Sequence, residues 1–331
     1  FDAFQWYFDI TEHSAWEGKY ILHRTQPIEN LAERLNTDVA TARELLLQWQ
    51  QLLTRAAADR LSTHPKPLRD PKSLTCWNAL LVRGFAEAHR ALPENGYDQA
   101  ATNLLEALIN SVWQNGEIAH QYLNGEAEGE GFLDDYSSFG QALLEGFLLT
   151  GNSIYFDHAQ EIAKSIERIF PFEGAFRVYT PSFEAAWQKQ LEIEDNVIPS
   201  ANSMWAHFFQ YLGVIADRND WKEQAQLALR AVHSKVFRYG PNFSNWLELG
   251  LMRAYGAKEL VITGSGAKAA AEELQRAHYQ PGTLVLFSES ASELAHFKGR
   301  VGHTLTYYLC SNNTCQLPTT DLNELLKLWK A

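Results

Sequence analysis

Three openings of one kind, set about sixty residues apart, constrain this chain more than any other feature. Residues 73–81 read SLTCWNALL, residues 131–144 read GFLDDYSSFGQALL and residues 200–208 read SANSMWAHF. Each pairs a polar cluster with the start of an apolar helical run, because short hydroxyl, amide and carboxylate side chains accept from the unpaired N–H groups of a first turn. A second helical run and a return loop follow each time. The predicted pairs are 73–92 with 97–113, 135–150 with 153–170, and 200–216 with 220–236. The turns inside a pair are short, whereas the loops between pairs, 114–133 and 171–199, are long and polar; the second carries a predicted strand over 175–179. Repeated α-hairpins built this way collect their long loops, and with them functional groups, at one end. One further helix is predicted over 241–255, with Asn245 and Trp246 near its start.

The flanks read differently. Residues 1–10 and 18–23 alternate aromatic with polar side chains, which predicts an N-terminal β-hairpin. A short helix over 27–36 and a long one from Asp38, its N-cap, to Ser62 follow, and three prolines within 64–71 mark a linker. After Gly256 the pattern becomes strand 259–263, helix 267–278, strand 283–288, strand 304–310 and a helix from Asp321, a small α/β tail. GSGAKA at 264–269 has dinucleotide-fingerprint spacing, with Glu289 ending the next strand. A Rossmann domain needs more βα units than this tail holds, so the glycines are read as a tight strand-to-helix turn. The expected organisation is 1–62, 63–256 and 257–331.

Lys plus Arg number 28 against 40 Asp plus Glu, a net charge of −12 with no basic run, so nucleic acid and anionic membranes are repelled. No apolar run reaches membrane-spanning length and no signal-peptide pattern is present. With only Cys76, Cys310 and Cys315, a cytoplasmic location is expected. Cys310 and Cys315 span CSNNTC and read as reduced thiols in a tight hairpin, with a labile disulfide as the alternative. Nothing completes a zinc set, and neither metal nor cofactor is expected.

Five ordered blocks carry a resemblance: WEGKYILHR (16–24), RDPKSLTCWNALLVRGFAEAHR (69–90), GFLDDYSSFGQALLEG (131–146), IPSANSMWAH (198–207) and YYLCSNNTCQLPTTD (307–321). Together they resemble the YyaL-like, spermatogenesis-associated thioredoxin-domain proteins. The resemblance implies a mainly α fold, an (α/α)6 toroid of the six-hairpin glycosidase and N-acylglucosamine 2-epimerase type, following a thioredoxin-like domain. It also implies that this chain is the C-terminal portion, since no CxxC motif occurs and seven helices are predicted in the paired region against roughly twelve in a closed ring. Where the family reads Asp-Asp-Lys before the first block, this chain has Asp70-Pro71-Lys72.

The candidate chemistry lies at the helix starts. Asp134 and Asp135 read as an N-cap and a first-turn acid, but with Glu194 and Asp195 arriving from the neighbouring repeat they would exceed what capping requires, and crowded like charges raise one carboxyl pKa, keeping an acid protonated beside a basic partner. Asp135 and Asp195, with Glu194 beside it, are the candidate acid and base; inverting hydrolysis would require them apart, with room for a water. An epimerase instead needs proton-transfer groups flanking one carbon, and His207 shares a helical face with Ser200 and Ser203. The 10 Trp, 13 Tyr and 18 Phe offer faces that stack on sugar rings. Asp134, Tyr136, Trp77, Asn78, Lys72, Asn202, Trp205 and Trp246 are therefore the candidate substrate-binding residues. Two functions follow: a carbohydrate-active enzyme, hydrolase or epimerase, acting on a sugar or sugar-derived molecule, or a non-catalytic binding module for the upstream thioredoxin-like domain.

Overall fold

The computed structural model describes residues 1–331 except 12, 14, 15, 64–68, 115, 182–189, 255–257, 279–281, 291, 312, 313, 331 and the side chain of Lys330. The linker expected at 64–71 and the C-terminal end of the helix expected over 241–255 fall partly or wholly outside the described residues. The chain divides into two compact units, Phe1–Asp70 and Pro71–Ala331.

The first unit is helical: α1 (Asp2–Tyr7), α2 (Ile28–Arg34) and α3 (Val39–Thr63). The expected N-terminal β-hairpin is not formed. Phe4, Tyr7 and Phe8 fall on one helical face and join one core, Phe4 meeting Phe8 at 4.9 Å and the edge of Trp49 at 5.3 Å, whereas a strand would set Tyr7 on the face opposite Phe4 and Phe8. The helix expected from Asp38 forms, with the Thr41 N–H donating to Asp38 Oδ1 at 2.8 Å.

In the second unit the three predicted hairpins are α4 (Thr75–Ala91) with α5 (Tyr97–Val112), α6 (Leu133–Thr150) with α7 (Ser153–Ile169), and α8 (Ala201–Ile215) with α9 (Asn219–Arg238). A seventh helix, α10 (Ser244–Ala254), packs on α8 and α9. Helices α4, α6, α8 and α10 pack in succession as an inner layer, each hairpin's second helix lying outside, which is the two-layer plan of a helical-hairpin toroid in part. The sequence makes α6 look amphipathic, yet nearly every residue of it is buried, because it is covered by α4, α7 and α8 at once. Gly140 permits the α6–α8 approach: a Cβ there would lie 2.4 Å from the Phe208 ring.

The loop expected over 114–133 is instead largely sheet. Strands β2 (Trp113–Gln114), β3 (Glu117–Leu123) and β4 (Glu126–Glu130) pair antiparallel, and β1 (Ser73–Leu74) adds to β3. Asn124 and Gly125, with φ of 52° and 94°, form the two-residue turn of this hairpin. The strand predicted over 175–179 is β6 (Phe176–Arg177), paired with β5 (Phe172–Glu173).

The α/β segment forms as read, with one short strand added: β7 (Lys258–Thr263), α11 (Ala267–Ala277), β8 (Thr283–Ser288), β9 (Thr306–Ser311), the added β10 (Thr314–Cys315) and α12 (Leu322–Lys330), in sheet order β10-β9-β7-β8. Gly264 makes the tight turn: φ is +101° and a Cβ would lie 2.2 Å from the Thr304 carbonyl oxygen. Val261, Leu284, Leu286 and Phe297 join the same core as the paired helices. Cys310 and Cys315 are opposite in register on β9 and β10 and form a disulfide, which corrects the reduced-thiol reading; adjacency across an antiparallel pair brings the sulfurs together. No helix among the described residues is long and apolar enough to cross a membrane.

Candidate functional site

The inner helix starts are stitched together by carboxylates. Asp135, fully buried, accepts the Cys76 N–H of α4 through Oδ1 at 3.0 Å, and through Oδ2 the Phe132 N–H at 3.0 Å and His120 Nδ1 at 2.8 Å. Asp195 does the same one hairpin further on. Its Oδ1 accepts from Ser200 N and Ser203 Oγ, both at 2.9 Å, and its Oδ2 from the Asn245 N–H at 2.9 Å, tying α8 to α10. All four oxygens of the expected acid and base thus serve helix termini, whose first N–H groups have no partner within the helix. The two carboxylates share no partner among the described residues. Glu194 is exposed beside Asp195.

Asp134 is placed differently. It is nearly buried, accepts the Asp135 N–H at 3.0 Å, and takes a hydrogen bond from the Tyr179 hydroxyl. Burial, and then the negative charges of Asp135 and Glu192, push its pKa up to about 7. His120 has its pKa raised above the usual imidazole value, chiefly by the hydrogen bond to Asp135, and Lys72 lies within electrostatic reach. Phe132 stacks on Tyr179 at 5.0 Å and meets His120 edge-on at 5.0 Å. A carboxyl whose pKa is raised thus stands beside a second at Asp134, with burial the larger cause and like charge the smaller.

Most of the expected sugar-binding residues have structural employment. Tyr136 is buried and its hydroxyl accepts the Ile118 N–H at 3.0 Å. Asn202 accepts the Arg177 N–H at 2.8 Å and donates to the carbonyls of Arg177, Leu191 and Glu192, holding the loop before α8. Trp205 packs under Phe172 and the Arg177 guanidinium, and Trp246 donates to the Ile193 carbonyl at 2.9 Å; both are fully buried, leaving no open ring face. Asn78 bonds its own helix at the Leu74 carbonyl. Trp77 is 59% exposed on α4 and retains a free face.

A cavity of about 730 Å³ opens beneath this stitched layer, between the C-terminal halves of the inner helices and the α/β segment. Asp134, Ser137, Gln141, Glu145 and Leu148 lie along one stripe of α6, the last three lining the cavity with Arg83, His207, Tyr211 and Glu248. Gln141 is 5% exposed; its amide donates to the Met204 carbonyl at 2.6 Å, and its Oε1 has no partner among the described residues. His207 Nε2 lies 2.7 Å from the Asn245 carbonyl oxygen, so Nε2 carries the proton, and burial lowers the pKa. The ring is thus neutral, with Nδ1 as its basic atom. Arg90 bonds Glu145 and, at 2.7 Å, Glu87, whereas neither Arg83 nor Glu248 has a hydrogen-bond or ion-pair partner among the described residues. Of the expected site residues only His207 lines this cavity.

Sequence reasoning passed over His120, Tyr179, Glu192 and Gln141. The Asn124-Gly125 pair between alternating runs is a hairpin signal that would have placed His120 on a strand beside the helix start. Nothing local marks Gln141.

No protein-family model matches the chain. Human spermatogenesis-associated protein 20 is 24% identical over 336 residues, covering 94% of this chain and 42% of the human protein. An uncharacterized protein of Caenorhabditis elegans is 24% identical over 356 residues, covering 99% and 48% respectively. The chain thus spans a little under half the length of the curated relatives it matches. Among solved structures, a GH76 α-mannanase of Bacteroides thetaiotaomicron aligns with a TM-score of 0.42 at 12% identity, over 51% of this chain and 46% of that one. A cellobiose 2-epimerase from Bacillus thermoamylovorans aligns at 0.41 and 18%, over 50% and 46%. The resemblance carried by the five sequence blocks is borne out: along nearly its whole length the chain is similar to the spermatogenesis-associated protein 20 proteins.

Proposed function

We propose that the Pro71–Ala331 unit takes a sugar or sugar-derived molecule into the cavity and moves a proton on it, with His207 as the base. The observation that carries this reading is the bare Oε1 of Gln141. A buried acceptor left unpaired costs about 1–3 kcal/mol, and a ligand hydroxyl seated in the cavity supplies the missing donor. The neutral His207 ring stands ready to accept a proton, and the Tyr211 ring offers a face for a pyranose. Proton transfer at carbon is favoured over hydrolysis because two of the carboxylates lining the cavity, Glu87 and Glu145, are paired with Arg90, which leaves Glu248 without a second unpaired carboxylate to act as its partner.

The test is incubation with a panel of mono- and disaccharides in D2O, read by NMR. Epimerisation or isomerisation introduces deuterium at the reacting carbon and a new set of anomeric signals. His207→Asn is expected to abolish exchange while leaving binding, and Gln141→Leu to raise KM more than it lowers kcat. Full turnover by His207→Asn removes that residue from the mechanism, and the absence of binding by every sugar removes the reading. A second reading, a non-catalytic module partnering a thioredoxin-like domain, is favoured by the structural use of all four oxygens of Asp135 and Asp195. Sugar binding without exchange would support it.

A further inference from the structure

We infer that the Cys310–Cys315 disulfide is an exchange site for a dithiol, in which Cys315 Sγ is attacked and Arg300 draws the incoming thiolate. Strand β10 is the edge of its sheet, and the two sulfurs stand in unlike surroundings: Cys310 is 3% exposed whereas Cys315 is exposed. The Arg300 guanidinium donates to Cys315 Sγ at 3.6 Å and is held over the Tyr308 ring at 5.1 Å. Its backbone is also fixed, since the Arg300 carbonyl accepts the Thr263 hydroxyl at 3.0 Å. Among the described residues Arg300 forms no ion pair with a carboxylate, so a fixed cation lies against the exposed sulfur. The third cysteine, Cys76, is buried, with Asp134 and Asp135 raising its pKa further, and is inert by comparison.

The chemistry balances with the reductant named by class. A thiolate attacks Cys315 Sγ, the S–S bond breaks, and its electron pair leaves on Cys310 Sγ, which takes up a proton. Cys310 remains opposite the mixed disulfide in register, so it recloses and expels a monothiol. A dithiol escapes this: its second thiolate attacks its own sulfur of the mixed disulfide and releases the Cys315 thiolate beside Arg300. The Cys315 thiolate then takes up the second proton, so the protein gains two electrons and two protons in all, and the dithiol becomes a cyclic disulfide.

The experiment measures reduction of the native chain by dithiothreitol at fixed pH and low salt, by quenched alkylation and mass spectrometry. Dithiothreitol is expected to open the disulfide where 2-mercaptoethanol at equal thiol concentration leaves it mostly closed. Arg300→Ala is expected to slow opening about threefold, Arg300→Lys to keep most of the rate, and high salt to erase the difference. In single-cysteine variants, the Cys315 thiol of Cys310→Ser is expected to react at least about tenfold faster than the Cys310 thiol of Cys315→Ser. Equal rates for Arg300→Ala and the parent chain at low salt, or a Cys310 thiol as reactive as Cys315, overturn the inference. Should Arg300→Ala fail to fold, the salt dependence of the parent chain decides the same question.

Discussion

Replacing Asp134 by Asn is expected to stabilise the Pro71–Ala331 unit, by an amount that grows with pH. The carboxyl pKa is pushed from 3.8 to about 7, so the folded state holds a proton that the unfolded chain releases. The folded state therefore binds more protons between those values, and stability falls as pH rises through that window. The contribution is fully present below the unfolded pKa and lost once pH passes the folded one. Asn copies the neutral acid: its oxygen accepts the Asp135 N–H and its amide faces the Tyr179 hydroxyl, which accepts. At 1.36 kcal/mol per pKa unit, the variant should exceed the parent by about 2 kcal/mol at pH 5 and about 4 kcal/mol at pH 8. Urea unfolding at both pH values, followed by fluorescence of the buried Trp205, Trp221 and Trp246, measures this gap. A gap that does not widen with pH, or a variant less stable than the parent at pH 8, would mean that the carboxylate form is the one the fold requires.

Other outcomes follow from the same contacts. Asp195→Ala leaves the Ser200 and Asn245 N–H groups without an acceptor, the Ser203 hydroxyl keeping the Ser200 carbonyl, and should cost about 2 kcal/mol, whereas Asp195→Asn, which keeps one acceptor oxygen, should cost less; thermal unfolding with the paired variants tests this. Gly140→Ala forces a methyl into the buried Phe208 ring and should cost about 1–3 kcal/mol, relieved by Phe208→Leu in the same chain. His120→Gln removes stabilisation that is fully present below pH 6.5 and lost as pH rises through the raised folded pKa, so its effect in denaturant titrations should be larger at pH 6 than at pH 9.

The hairpin pairs were legible because each rests on local signals: caps, a 3.6-residue apolar period and turn residues. The hairpin of β3 and β4 left an equally local signal at Asn124-Gly125, but β4 alternates Glu with only Ala127 and Gly129, and β3 mixes Glu117, His120 and Gln121 among its apolar residues, so composition read as loop. The N-terminal segment misled because aromatic residues three and four apart also approximate alternation over a few positions, and only the packing of Phe4 on Trp49 decides between the periods. At the site, sequence located the acidic helix starts but assigned them to chemistry. Their oxygens are taken by N–H groups of a neighbouring hairpin, and no pattern within one segment announces that.

The sequence by itself determined that helices come in pairs, where each begins, and that carboxylates stand at those beginnings, because capping and periodicity are fixed by residues within a few positions of one another. Tertiary structure decided which carboxyl is a tether and which is a titrating acid, and that the cavity lies two turns deeper, around Gln141 and His207. Those outcomes depend on desolvation and on donors from chain segments dozens of residues away, quantities that exist only once the hairpins have packed.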